Sequence, residues 1–419
     1  MRSFDLIVIG TGSGLEVSAD ASDQGWSVAV VEEGPFGGTC LNRGCIPSKM
    51  LNHCSDAMRT VETASEFAIH PNVERIDWPF IIKRATKEVD ADAAMIERGN
   101  RQDVNIQAFK GRGAFVGPKT LEVNGEQLTA ETIVIAAGTR PCAPPIPRLD
   151  TVPYITSDEA LRVPEQPKRL TIIGGSYIAA ELAHSFGELG TEVTLVHRRA
   201  QMLREEDDDV AHRFTEVYQR RFNMVLGSQL TSVSAADGVI TVEVNTNGER
   251  QSIDSDCLFM PTGRVPNTDI LNVAATGVEI DYRDFVKTDE YLRTNIAGIW
   301  ALGNIVGKYL LKHSANLEAA YATNNIFNPA NLVAADYHAM PHAVFASPQV
   351  ASVGLTEQEL ERRGFPSVAA TYNYSDTAYG SLHRRKGRVR EGAGGARIRR
   401  NLGLPHHRHR CRDLDTGSR

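Results

Sequence analysis

The chain opens on a nearly unbroken apolar run, Phe4 to Ile9, which predicts a parallel strand buried on both faces. It passes into Gly10-Thr11-Gly12-Ser13-Gly14 and a helical stretch, then into a second apolar strand, Ser27 to Val31, that closes on Glu32. That order is the opening strand–helix–strand of a dinucleotide-binding unit. Leu128 to Ala137 is another apolar run, ending at Gly138-Thr139-Arg140-Pro141, and the proline-rich stretch from Pro141 to Pro147 reads as a linker. A second strand–glycine–helix unit starts at Arg169, turns at Gly174-Gly175-Ser176 and has its next strand from Glu192 to Val196. Leu258 to Asn267 ends this second unit, and Ile299 to Asn304 returns to the first. From about Tyr337 a third region begins, in which Ala343 to Gly354 alternates as one sheet strand. The fold class predicted is α/β, with two tandem Rossmann-like units and a smaller third region. After Gly380 the periodicity dissolves.

Composition adds limits. A chain of 419 residues has room for two or three domains with sizeable cores. The formal net charge of −7 gives no general reason to expect nucleic-acid binding. Charge is unevenly spread: residues 381–419 hold 12 Lys and Arg against 3 Asp and Glu, and no Phe, Trp or Tyr. No apolar run approaches a membrane span. The N-terminus enters a strand directly, without the charged and apolar segments of a signal peptide, so the expected location is cytoplasmic.

The glycine turns suit phosphate, because backbone N–H groups and a helix N-terminus favour an anion at close range. Gly10 and Gly12 fit the first two fingerprint positions; the third falls on Leu15, with Gly14 one residue early. Glu32, 20 residues beyond Gly12, can accept hydrogen bonds from a ribose. Cys40 and Cys45 form a close pair in a chain with only six cysteines. Such a pair reads as catalytic or metal-binding, with a purely structural pair as the bland alternative. No second close pair or histidine spacing completes a zinc site, so no metal is read. Pro47 suits the first turn of a helix beginning about there, which puts Cys45 near a positive helix end that lowers a thiol pKa. Cys54, Cys142, Cys257 and Cys411 are isolated and read as buried or incidental thiols.

The stretch Gly37-Gly38-Thr39-Cys40-Leu41-Asn42-Arg43-Gly44-Cys45-Ile46-Pro47-Ser48-Lys49 resembles the redox signature of the class I pyridine nucleotide–disulfide oxidoreductases. That resemblance implies FAD in a unit made of residues 1–150 and 267–336, and NADPH in a unit spanning 151–266. It implies a Cys40–Cys45 redox disulfide in which Cys45 faces the flavin and Cys40 attacks a disulfide substrate. Lys49 then approaches the flavin ring and Glu181 is its acidic partner. Gly10, Gly12, Gly14, Glu32, Gly38, Thr39, Gly138, Gly263, Arg264, Gly303 and Asn304 fall in cofactor-binding stretches, with Asn304 where the family usually has Asp. In the second unit Gly174, Ser176 and Tyr177 face the coenzyme. Ser176 replaces a glycine, and Tyr177 is either a lid over the flavin or an ordinary half-buried tyrosine. Arg198 and Arg204 align with arginines that clamp a 2′-phosphate, which favours NADPH; a solvated basic turn is the alternative.

Three stretches narrow the resemblance to the mycothione reductase branch: Gly10 to Gly14, Tyr309 to Asn316, and Tyr374 to Gly380. The implied substrate is mycothione, a low-molecular-weight disulfide, and the implied assembly is a homodimer. Lipoamide dehydrogenase, another disulfide reductase and a non-catalytic nucleotide-binding relic are the competing readings. No membrane or nucleic-acid partner is expected. Residues 337–380 match part of an α+β dimer-interface domain, and the family's later His-Pro…Glu motif does not occur. The expectation is therefore an aberrant basic tail over 381–419, an incomplete interface and an impaired second half of the reaction.

Overall fold

In the computed structural model, residues 1–382 and the short strand Ala396–Arg397 are described. The expected tail over 381–419 otherwise lies outside the described residues.

The first unit is built on a seven-stranded sheet. Its strands run in the spatial order Ile106–Lys110, Val28–Glu32, Arg2–Ile9, Glu126–Ile135, Thr120–Val123 and Gly113–Gly117. Ile299–Ala301 also pairs, in parallel, with the end of Glu126–Ile135. Alternation along Arg2–Ile9 feeds two cores. Leu6 and Val8 pack with Val17 and Ala21 of the helix Gly14–Asp23 and with Ala319 and Ala322 of the helix Lys312–Phe327. Ile7 and Ile9 pack on the opposite side with Phe115, Leu121, Leu271 and Val273. Burial on both sides explains why this strand reads as an apolar run. Strand order reverses beside Arg2–Ile9, which puts a ligand crevice at its C-terminal end.

The second unit has four parallel strands in the order Asn223–Leu226, Glu192–His197, Arg169–Ile173 and Cys257–Phe259. A three-stranded antiparallel sheet, Ser228–Ala236, Val239–Thr246 and Glu249–Ser255, flanks it. The Pro141 end of the expected linker forms a strand, Thr139–Pro141, which pairs with Arg264–Pro266. The helices Cys45–Thr63 and Trp78–Gln102 send Leu51, Trp78 and Ile82 into one core with Leu170, Ile172, Phe186 and Phe259 of the second unit. Val344, Ala346 and Val350 of the third region join that core.

The third region departs from its sequence expectation. Residues 343–354 do not form one strand; Pro341–Val344 and Val350–Val353 pair as an antiparallel hairpin. The break falls at Phe345 to Gln349, where Pro348 has no N–H to give a ladder. A period-2 pattern continues through such a turn and conceals it. The helix Glu357–Arg362 follows, capped by the Thr356 hydroxyl, which accepts from Glu359 N at 3.2 Å.

Candidate active site

The first glycine turn lies at the C-terminal end of Arg2–Ile9. Gly10 has φ +100°, and a Cβ there would lie 2.5 Å from the Ala136 carbonyl oxygen. Only glycine fits that turn. A Cβ at Gly12 would meet nothing within 4 Å, so its Cα faces open space that a diphosphate can enter. A Cβ at Gly14 would lie 2.8 Å from Val8 Cγ1 and 2.9 Å from Ala136 Cβ. The close helix–strand approach sought at the third fingerprint position is thus made at Gly14. Gly38, with φ +68°, packs against Gly12, which brings Thr39 and the first cysteine beside the same turn.

Glu32 ties these loops together. Its Oε2 accepts from Thr11 N at 3.0 Å and Thr11 Oγ1 at 2.7 Å, and its Oε1 accepts from Gly34 N at 2.8 Å. Gly138 is left-handed with open space before its Cα. Gly303 and Asn304 begin a short 3-10 turn after Ile299–Ala301. The buried Glu318 carboxylate accepts from Gly303 N and from Tyr337 Oη, the latter at 2.8 Å. Burial raises the Glu318 pKa, against the pull of those two donors. Asn304 itself is half-buried, and its side chain has no hydrogen-bond partner among the described residues. These open glycines and the free Asn304 amide fit a flavin dinucleotide.

The two cysteines sit on different helices. Cys40 lies in Gly38–Arg43, and Cys45 is the first residue of Cys45–Thr63. That helix starts two residues before the Pro47 expected from sequence, because Pro47 occupies an interior position of the first turn, where its missing N–H costs nothing. Gly44 joins the helices, and a Cβ there would lie 2.9 Å from Thr39 O. Both cysteines are half-buried free thiols in this structure. A Cys40–Cys45 hydrogen bond, with Lys49 in support, lowers Cys45 to about 7 although burial opposes it. The same hydrogen bond, with burial, pushes Cys40 far up. The pair therefore holds its first negative charge on Cys45.

Lys49 is one helical turn beyond Cys45. Its Nζ donates to both carboxylate oxygens of Glu181, at 2.9 and 2.7 Å, and lies 4.5 Å from the centre of the Phe345 ring. Glu181, 5% exposed, also accepts from Phe345 N at 2.9 Å. This one carboxylate joins the cysteine helix, the second unit and the third region.

The second turn shows the same division of labour. Gly174 has φ +143°. A Cβ at Gly175 would lie 2.6 Å from the His197 ring, which crosses the turn. Ser176 precedes the helix Tyr177–Glu188, and its buried Oγ has no hydrogen-bond partner among the described residues. A buried hydroxyl without a partner at a helix N-terminus fits a phosphate oxygen. Tyr177 is 38% exposed; its surroundings raise the phenol pKa by desolvation, against the pull of Arg264. Arg264 donates to Thr139 Oγ1 at 2.8 Å and Thr139 O at 2.6 Å, beside the left-handed Gly263. At the strand end, Arg198 and Arg199 are exposed without side-chain partners among the described residues, and Arg204 pairs with Glu205 at 2.7 Å. Burial and the neighbouring arginines lower the His197 pKa. A strand end that carries His197, Arg198 and Arg199 with no acid before Glu205 suits a 2′-phosphate.

Sequence reasoning missed several contacts. Glu206, one of the five consecutive acids Glu205 to Asp209, is 3% exposed. It accepts from His342 Nε2 at 2.7 Å and from Ser352 Oγ, and so fastens the hairpin to the second unit. Glu318 and Lys312 carried no local signal either, since their partners lie far away in the chain.

The model of the pyridine nucleotide-disulphide oxidoreductase family matches residues 4–322. The chain is 35% identical over 391 residues to mycothione reductase of Mycobacterium tuberculosis, covering 91% of this chain and 84% of that protein. It is 36% identical over 365 residues to glutathione reductase of Burkholderia cepacia, covering 86% and 79%. Its fold is similar to the HOCl-induced flavoprotein disulfide reductase RclA from Escherichia coli, with TM-score 0.81 at 24% identity over 95% of this chain and 86% of that one. Among the described residues no helix is long and apolar enough to cross a membrane. With the family model matching residues 4–322 and these relatives spanning most of its length, the chain belongs to the pyridine nucleotide-disulphide oxidoreductases, disulfide reductases that use FAD and NAD(P)H.

Proposed function

We propose that this chain carries the chemistry of a mycothione reductase, NADPH reducing Cys40 and Cys45 and these reducing mycothione, with the second half of the reaction impaired because the family's His-Pro…Glu motif does not occur in this sequence. The observation that carries the reading is the cysteine pair at the start of the helix Cys45–Thr63, one turn before Lys49 and its ion pair with Glu181 of the second unit. Residues 1–150 and 267–336 are assigned to the flavin, 151–266 to the coenzyme and 337–380 to a homodimer interface.

Overall, one NADPH and one proton convert one disulfide to two thiols, a two-electron reduction. When bound, the flavin supplies the relay between coenzyme and protein disulfide. Gly10, Gly12, Gly14 and Gly38 shape the diphosphate turn, and Glu32 takes the ribose. Gly174 and Ser176 meet the coenzyme diphosphate, Arg198 and Arg204 its 2′-phosphate. Tyr177 covers the approach between the two cofactors. Reduction of the protein disulfide leaves its charge on Cys45 and a proton on Cys40. Cys40 then attacks one substrate sulfur, the substrate S–S bond breaks, and the leaving thiolate takes the proton that Cys40 loses; the Cys45 thiolate next attacks Cys40 Sγ, re-forms the protein disulfide and expels the second thiolate, which takes a proton from solvent.

The choice of mycothione rests on the mycobacterial relative and on the three stretches that resemble that branch. Steady-state turnover of mycothiol, glutathione and lipoamide disulfides, each with NADPH and with NADH, tests it. The expected result is the highest kcat/KM for mycothione with NADPH. Turnover of lipoamide with NADH alone overturns the assignment in favour of a lipoamide dehydrogenase.

A further inference from the structure

Lys312 opens the 16-residue helix Lys312–Phe327. Its Nζ donates to Ser13 Oγ at 2.8 Å, and that hydroxyl donates on to Asn316 Oδ1 at 2.7 Å. Ser13 is buried at the N-cap of the 10-residue helix Gly14–Asp23, yet its side chain caps none of that helix's N–H groups. An ammonium is thereby pinned between two helix N-termini. Each of these ends is already electropositive, so a cation in the first turn is unfavourable unless an anion joins it. Glu16, in the first turn of Gly14–Asp23, is the nearby acid: burial raises its pKa against the pull of Lys312, but among the described residues no carboxylate makes a direct ion pair with the ammonium. Gly12, beside it, faces open space. Asn304 stands where the family usually has an acid, so the crevice also lacks that negative charge.

We propose that Lys312 is a direct ligand of the flavin diphosphate, held in place by Ser13 and Asn316 as positioning residues. The inference rests on the flavin occupying the Gly10–Gly14 turn. A charge-assisted contact to phosphate forms, and the ammonium gains a directly bonded counter-charge, which Glu16 does not provide.

Titration of the full-length apoprotein with FAD and with riboflavin, which has no diphosphate, tests the idea by fluorescence quenching. K312M is expected to weaken FAD roughly tenfold to a hundredfold and to leave riboflavin within about twofold. K312R retains most of the FAD affinity, and K312M flattens its salt dependence. The apo Tm of K312M should not fall, because a cation is removed from a helix N-terminus. FAD affinity unchanged in K312M overturns the proposal, as does an equal loss of both flavins. Wild-type protein that binds neither flavin overturns the flavin site itself and this inference with it.

Discussion

Replacing Cys40 with alanine removes the group that does most to hold charge on Cys45. In the reduced protein the Cys40–Cys45 hydrogen bond is the leading cause of the low Cys45 pKa. Lys49 and a backbone N–H contribute less, while burial and Glu181 oppose. A hydrogen bond to a charged group contributes about 1.5–3 kcal/mol, which at 1.36 kcal/mol per pKa unit is about one to two units. C40A should therefore carry Cys45 from about 7 to about 8.5 or higher. At pH 7.5 the thiolate fraction would fall from about three quarters to about one tenth. C40S keeps a hydroxyl donor and should stay near the wild-type midpoint. The assay is the pH dependence of Cys45 alkylation by iodoacetamide, followed on the peptide that contains Cys45. Following that peptide separates Cys45 from the other thiols, of which burial raises Cys142 above the usual thiol range and pushes Cys257 up to about 11. A C40A midpoint that remains near 7, or a C40S midpoint that rises with it, refutes the assignment of the proton to Cys40.

Two glycine substitutions separate cofactor space from packing. G12A should leave apoprotein stability unchanged and abolish flavin retention, whereas G14A drives a Cβ into Val8 and Ala136 and should cost about 1–3 kcal/mol in denaturant unfolding. R198A/R204A should raise the KM for NADPH about tenfold or more and change that for NADH less than about twofold; equal effects on both coenzymes contradict a 2′-phosphate clamp. S176A should raise the KM of both coenzymes about threefold to tenfold, since its hydroxyl has no other partner among the described residues; unchanged KM values count against a phosphate contact. The His342–Glu206 pair predicts a pH window for the hairpin Pro341–Val353. Its Glu206 hydrogen bond raises the His342 pKa above 6.5, so that stabilisation is complete below 6.5 and lost as pH rises through the raised value. Burial opposes charge on Glu206, but His342 and Ser352 hold its pKa below 4.5, so its share is lost as pH falls through that lowered value. Amide-exchange protection of the hairpin, corrected for intrinsic rates, should peak between about pH 4.5 and 6.5, and H342Q should flatten the upper limb.

The fold class was legible wherever burial on both faces left an unmistakable pattern. Leu6 to Ile9, and Leu170, Ile172 and Ile173, are apolar because helices or loops cover both sides of their sheets, and a glycine turn follows each strand. Period alone failed at Phe345 to Gln349, where a turn preserves alternation while reversing direction. The helix start was displaced to Cys45 because proline is acceptable throughout the first turn, so its position marks the end only to within a residue or two. Gly14 looked like a misplaced fingerprint glycine, and only coordinates show Val8 and Ala136 closing on its Cα. Contacts between distant segments stayed hidden. Glu206 looked like one acid among several, and nothing local distinguishes it until His342, 136 residues later, folds against it. Lys312 and Ser13 are 299 residues apart, and no spacing rule links them. Local chemistry writes itself into sequence through period and turn residues; charge pairing across domains does not.

The central claim is that electrons reach the sulfur pair near the N-terminus. Anaerobic titration of the oxidised, flavin-loaded protein with NADPH, with free thiols counted at each step, tests it most directly. One equivalent should release two thiols, assigned by mass spectrometry to Cys40 and Cys45, with a thiolate–flavin charge-transfer band that C45S lacks. Flavin bleaching by the first equivalent with no thiols released would contradict the account.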